Sequence, residues 1–233
     1  MERRLPVILL LLVLTGTSGV LYTQELSQTD HIQLMLWADL DAYPETAAAE
    51  KNAHPDDSVF SYPVRRLKEL APYLFTGMIY GWDYEYTPSD KLRGVSEYFE
   101  CTEIHPLGND SKKIIYKAPW IENNRLYCWI EFDRTPAMLE SLNYWKSIVH
   151  PKIQGSGKGN VMDGFDGIQN ACKDSVKNAV REFYRKEIKN KPKLITGKVL
   201  INGVPRLSID SGRYVVELDF FLETGRIIKY TQF

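Results

Sequence analysis

One long amphipathic segment in the C-terminal third of the chain limits the folds that are open to it. From Phe165 to Phe183, apolar residues recur every three or four positions, which is typical of a helix buried along one side. We therefore predict a helix over residues 162–188, which Pro192 ends. A helix of this length needs a second layer against which its apolar side can pack.

The residues after this helix predict that second layer. Strand-like runs occupy residues 194–201, 204–209, 213–222 and 226–230. The turns between them are predicted at Asn202-Gly203, at residues 210–212 and at residues 223–225. The sequence therefore predicts an α+β fold, in which an N-terminal lobe of mixed strands and helices is followed by a long helix packed on a four-stranded antiparallel meander.

A glycine-rich segment, residues 151–160, precedes the predicted helix and indicates a boundary. Three of five consecutive residues are glycine there, which disfavours a regular element. We interpret the segment as a linker between an N-terminal lobe (residues 20–150) and a C-terminal lobe (residues 161–233). Within the first lobe, alternation of apolar and polar residues favours a strand over a helix at residues 32–40.

The first 19 residues have the pattern of a secretory signal peptide. Arg3 and Arg4 precede an apolar run, and small residues follow it up to Gly19. The alternative is an uncleaved N-terminal anchor that reaches residue 22. We expect no later segment to span a membrane. Cleavage would then leave the protein, without a membrane span, in a periplasm or an extracellular space.

Charge is balanced overall but distributed unevenly. The chain has 29 Lys and Arg against 30 Asp and Glu, which argues against a nucleic-acid partner. Residues 25–60 carry eight acids and one base, whereas the predicted long helix carries a basic residue at every fourth position. The members of this basic strip are Lys173, Lys177, Arg181, Arg185 and Lys189. The strip is either a solvated helix face or a docking surface for an acidic envelope protein, an anionic glycan or a lipid headgroup.

An aromatic row marks the strand predicted at residues 78–86. Tyr80, Trp82, Tyr84 and Tyr86 occupy every second position and therefore share one face of that strand. Such rings stack on sugars in some proteins and fill half-buried strands in others. We name these four residues as ligand-binding candidates, with core packing as the alternative.

The chain has three cysteines. Cys101 and Cys128 lie in strand-like runs, and a disulfide would join them if those strands pair. The alternative is three buried thiols, including Cys172. Their spacing matches neither a zinc motif nor a CxxC redox pair.

No strong catalytic, metal or cofactor motif occurs in the sequence. GSGKGN fails at two positions that a phosphate-binding loop requires, and MDGFDG lacks the spacing of a calcium loop. Asp39, Asp41, Asp83 and Glu85 are candidates for glycan hydrolysis, which needs two carboxyls across a cleft. We therefore predict a secreted or periplasmic cell-envelope protein with a binding or structural role, and no cofactor. The alternative is a secreted carbohydrate-binding protein or glycoside hydrolase.

Overall fold

Residues 30–41 and 60–230 are described by the structure, which is a computed structural model. The predicted signal peptide and most of the acidic segment lie outside these residues. Within them, nine strands form two antiparallel sheets, and three α-helices pack on the sheets. The strands are β1 (His31–Asp39), β2 (Trp82–Thr87), β3 (Tyr98–Glu103), β4 (Ile115–Glu122), β5 (Arg125–Asp133), β6 (Lys152–Asn160), β7 (Leu194–Ile201), β8 (Arg206–Asp210) and β9 (Arg213–Ile228). The helices are α1 (Ser61–Ile79), α2 (Pro136–Trp145) and α3 (Phe165–Glu187).

The smaller sheet has the strand order β1-β5-β4, and α1 packs on one of its faces. Alternate residues of β1, namely Ile32, Leu34 and Leu36, are buried on that face. The same alternation in β5 buries Ile130 and Phe132. The prediction of a strand rather than a helix at residues 32–40 is therefore confirmed.

The larger sheet has the strand order β3-β2-β7-β9-β6, with β8 beside one end of β9. This order contradicts the predicted long helix on a four-stranded meander. Strands β2 and β3 from the N-terminal half, and β6 from the glycine-rich segment, belong to the same sheet as the C-terminal strands. The protein is mostly β, with few helices. Its division into two lobes stays a prediction.

Two of the three predicted C-terminal turns do not reverse the chain between neighbouring strands. β7 and β8 lie end to end along one side of β9, while β6 lies along the other side. Asn202 and Gly203 therefore separate two strands that lie in line, and residues 223–225 lie within β9. The turn at residues 210–212 is confirmed, because Ser211 and Gly212 have φ angles of 50° and 71° and join β8 to β9 in a tight hairpin.

The glycines of β6 allow α3 to lie unusually close to the larger sheet. Gly155, Gly157 and Gly159 are buried. A Cβ atom at these positions would lie only 2.0, 2.1 and 1.8 Å, respectively, from backbone carbonyl oxygens of α3. The residues that supply those oxygens are Ser175, Ala171 and Gly167. Alternate residues of β6 thus face residues of α3 that are four positions apart. The segment interpreted as a linker is a strand whose glycines serve helix packing.

Candidate functional site

The contact with β6 buries one side of α3 and leaves the predicted basic strip on the other side. Lys173, Arg181 and Arg185 are exposed, and Lys177 is half-buried. Lys189 is exposed just beyond the helix, which ends at residue 187. The first two lysines of the strip border one cavity and the last three cations border another, so the structure divides the strip in two.

An open groove of about 630 Å³ lies beside α3 and β6. Cationic residues from three elements line it: Lys158 from β6, Lys173 and Lys177 from α3, and Arg213 from β9. The uncharged polar residues of the lining are Ser156, Asn170 and Asn178. Asp174 is the single carboxylate among the lining residues, so their formal charge is +3. We name this cavity the basic groove.

Asp174 connects α3 to the edge of β6. Its carboxylate accepts a hydrogen bond from the backbone N–H of Lys158 at 3.1 Å and pairs with the ammonium group of Lys177 at 2.7 Å. Asn178 donates to the backbone carbonyl of Ser156 at 2.8 Å and to Asp174 at 3.3 Å. Among the described residues, β6 has a strand neighbour on one side only, so these helix side chains satisfy backbone groups that would otherwise face solvent.

The other cations of the basic groove have weak ion-pair partners, or none among the described residues. The ammonium group of Lys158 lies 3.7 Å from the carboxylate of Asp210, and both side chains are exposed. Solvent weakens such a pair. Lys173 and Arg213 take part in no ion pair with the described residues. Cations without strong partners, gathered around one groove, attract an anionic ligand.

The aromatic row, for which the sequence leaves ligand binding and core packing open, lies mostly in the core. Trp82, Tyr84 and Tyr86 are 1%, 3% and 3% exposed, and only Tyr80 of the four is half-buried. Trp82 stacks on Tyr73 of α1, with ring centroids 5.1 Å apart. Burial raises the pKa of Tyr84 and Tyr86 well above the usual value for a phenol. Three of the four rings are therefore core residues, and ligand binding by the row stays a prediction.

The structure does not bring the predicted disulfide partners together. Cys101 belongs to β3 of the larger sheet and Cys128 to β5 of the smaller sheet, and all three cysteines are free and buried. Burial raises the pKa of Cys101 to about 12 and also raises that of Cys172. A thiol with a raised pKa is a poor nucleophile at neutral pH, because the thiolate is the reactive form.

The carboxylates considered for glycan hydrolysis are divided between the two sheets. Asp83 and Glu85 of β2 line a groove on the larger sheet. Asp39 lies at the end of β1, where its carboxylate is 3.1 Å from the guanidinium group of Arg125. Within residues 30–41 and 60–230, no group of three or more His, Cys, Asp or Glu side chains could hold a metal ion. Hydrolysis by Asp83 and Glu85 stays a prediction.

Lys158 and Arg213 could not be assigned to a common site from the sequence alone. Arg213 follows a turn, and Lys158 lies in the segment interpreted as a linker. A signal for Lys158 was present, because glycine at every second position from 155 to 159 is a strand period. That period leaves Ser156 and Lys158 exposed between buried glycines.

The fold and the basic groove together define a mostly β protein with a candidate anion-binding surface. A protein-family model matches residues 18–230, so the chain belongs to that family. One relative, an uncharacterized protein of Treponema pallidum (strain Nichols), is 29% identical over 202 residues, which cover 86% of this chain and 82% of the relative. No solved structure matches the chain. None of the described helices is both long and apolar enough to cross a membrane.

Proposed function

We propose that this chain is a binding protein of the cell envelope, delivered to a periplasm or an extracellular space, and that its basic groove binds an anionic glycan. Binding is supported by the meeting of four cationic residues from α3, β6 and β9 around a single carboxylate. Delivery is supported by the positive start, the apolar run and the small-residue exit of residues 1–19.

The electrostatics of the basic groove favours a ligand with several charges. One exposed ion pair contributes only about 0–1 kcal/mol, so a single anionic group would bind weakly. A polymer with repeated carboxylate or phosphate groups contacts Lys173 and Arg213 at the same time. Its affinity must fall as salt rises, because dissolved ions screen exposed charges.

The lining of the basic groove favours a glycan over an apolar polymer. Polar side chains of Ser156 and Asn170 stand among the cations, and such groups exchange hydrogen bonds with sugar hydroxyls. The groove is open to solvent, which suits a chain that lies across the surface. A small apolar ligand would need the enclosed, hydrophobic lining that this groove lacks.

The proposal is tested by measuring the binding of polygalacturonate, an anionic glycan, with neutral dextran as the comparison. We expect polygalacturonate to bind with an affinity that falls steeply between low and high NaCl. Replacing both Lys173 and Arg213, as K173Q with R213Q, removes two contacts and weakens binding by about tenfold.

The matched control is the double variant K68Q with K146Q, which loses the same charge from exposed sites outside the basic groove. We expect it to bind polygalacturonate like the unaltered protein. Equal losses in the two double variants would assign binding to net charge and reject the groove. Equal binding of dextran and polygalacturonate would reject an anionic ligand.

A further inference from the structure

A second cavity, of about 370 Å³, lies at the C-terminal end of α3. Strand β2 and the segment between α3 and β7 also border it, and we name it the end pocket. Its volume falls within the range of about 300–1,000 Å³ that is typical of small-molecule sites. It shares no lining residue with the basic groove, so its ligand is independent of the proposed function.

Part of the end pocket is apolar. Tyr86, Tyr184, Pro192 and Ile195 are buried residues that line it, and Ile188 is a half-buried one. Tyr86, Tyr184 and Ile195 belong to β2, α3 and the start of β7, which hold their positions, whereas Ile188 and Pro192 lie in the segment between α3 and β7. Apolar surface in an accessible cavity favours the entry of a hydrocarbon chain, because water leaves that surface.

The rest of the end pocket is cationic. Glu97 is the single carboxylate among the lining residues, and it accepts a hydrogen bond from the hydroxyl of Tyr86 at 3.0 Å. The ammonium group of Lys191 donates to the backbone carbonyl of Ser89 at 2.6 Å, which holds this cation at the cavity. The four cationic residues of the lining are Arg181, Arg185, Lys189 and Lys191. The formal charge of the lining is therefore +3.

The apolar part and the cationic part of the end pocket favour chemically different groups, which one ligand can carry together. A small inorganic anion would leave the apolar residues in contact with water. An uncharged hydrocarbon would displace water from the cations without replacing its hydrogen bonds, which costs free energy. A molecule with an anionic head and one hydrocarbon chain satisfies both parts. We propose that the end pocket binds a single-chain amphiphilic anion, whose carboxylate or phosphate head meets the cations.

The test is calorimetric titration of the protein with dodecanoate and dodecyl phosphate below their micelle concentrations. Dodecanol removes the charge, and acetate removes the chain. We expect at least one of the two amphiphilic anions to bind about tenfold or more tightly than dodecanol, and acetate to show no saturation. Whichever of the two anions binds more tightly shows whether the end pocket prefers a carboxylate or a phosphate head. Dodecanol binding as tightly as both anions, or neither anion binding, would overturn the proposal.

Arg185 and Lys186 provide a matched pair of variants. Both pair with Glu182, at 2.9 and 3.3 Å, but only Arg185 lines the end pocket. We expect R185Q to weaken binding of the tighter amphiphile by about threefold, because Arg185 is exposed and already pairs with Glu182, and K186Q to leave it unchanged. Equal losses would show that the amphiphile responds to the helix charge as a whole, which would overturn the assignment to the pocket.

The apolar part is tested with I188A, whose unfolding temperature first shows that it is folded. We expect I188A to weaken amphiphile binding while polygalacturonate binding stays unchanged. The K173Q and R213Q double variant gives the reverse result, with weaker polygalacturonate binding and unchanged amphiphile binding. Either proposal can therefore fail without the other. Unchanged amphiphile binding in folded I188A would overturn the proposal that a hydrocarbon chain binds to the apolar part of the end pocket.

Discussion

The two long helices pack on their sheets in opposite ways. Helix α1 contacts the smaller sheet through large side chains, and Phe75 packs on Phe132 of β5 with ring centroids 5.5 Å apart. Helix α3 contacts β6 through backbone, because glycine lies at residues 155, 157 and 159. The contact of α1 is filled by large side chains. The contact of α3 is possible because three residues of β6 have no side chain.

This difference decides which substitutions each contact tolerates. At α1, a smaller side chain leaves a cavity that neighbours fill in part. At β6, a larger side chain meets carbonyl groups of α3, which cannot rotate away as a side chain can. The basic groove depends on the second contact, since Asp174 and Asn178 reach the edge of β6 only while α3 lies against it.

The largest effect is expected from Gly157→Val. A Cβ atom at this position would lie 2.1 Å from the Ala171 carbonyl oxygen and 2.2 Å from the Ser175 nitrogen. We expect a loss of about 5 kcal/mol or more in the free energy of unfolding, measured by urea denaturation. Ser156→Val is the control, because residue 156 is exposed on the same strand. Equal stability of the two variants would show that α3 does not contact β6 closely.

A smaller effect is expected from Leu70→Ala in α1. The side chain is 2% exposed, and its truncation leaves a cavity beneath the helix. We expect the free energy of unfolding to fall by about 3 kcal/mol in the same urea experiment. Leu92→Ala, at a residue that is 97% exposed, should change it by less than about 0.5 kcal/mol. A Leu70→Ala loss as large as that of Gly157→Val would remove the distinction between the two contacts.

The smallest effect is expected from Gly203→Ala, which separates backbone conformation from crowding. Residue 203 has a φ angle of +87°, and a Cβ atom there would have no neighbour within 4 Å. We expect a loss of about 1–2 kcal/mol, the cost of a left-handed conformation. Gly203→Asn should cost less, because asparagine tolerates positive φ better. A cost for Gly203→Ala that matches Gly157→Val would mean that conformation, rather than close approach, explains both glycines.

The elements that could be predicted from the sequence are those whose conformation is determined by the spacing and type of their own residues. The alternation of Ile32, Leu34 and Leu36 predicted β1, and the apolar stripe from Phe165 to Phe183 predicted most of α3. The turn at residues 210–212 also depends on local backbone preferences alone. Each of these predictions needed no knowledge of a distant partner.

The errors arose where a distant partner decides the structure. The glycines of residues 151–160 indicated a linker because their partner, α3, cannot be read from the segment. Asn202-Gly203 indicated a hairpin, but β9 pairs with the strands on both sides of that dipeptide. For the aromatic row, the sequence left ligand binding and core packing open, because it does not show that α1 covers this face. For the candidate site, the lysines of α3 could be predicted, whereas their meeting with Lys158 and Arg213 required the sheet order.

The position of β9 has a consequence for the time at which the fold can form. β9 is the last described strand in the chain, yet β6, β7 and β8 all pair with it. Until residues 213–228 have been synthesised, β6 has no partner among the described strands, and β7 has β2 alone of them. The larger sheet therefore closes late, through contacts between residues far apart in the sequence, and such contacts form slowly. For a protein proposed to leave the cytoplasm, this order keeps the nascent chain without the shared partner strand of β6, β7 and β8 until residues 213–228 have been synthesised.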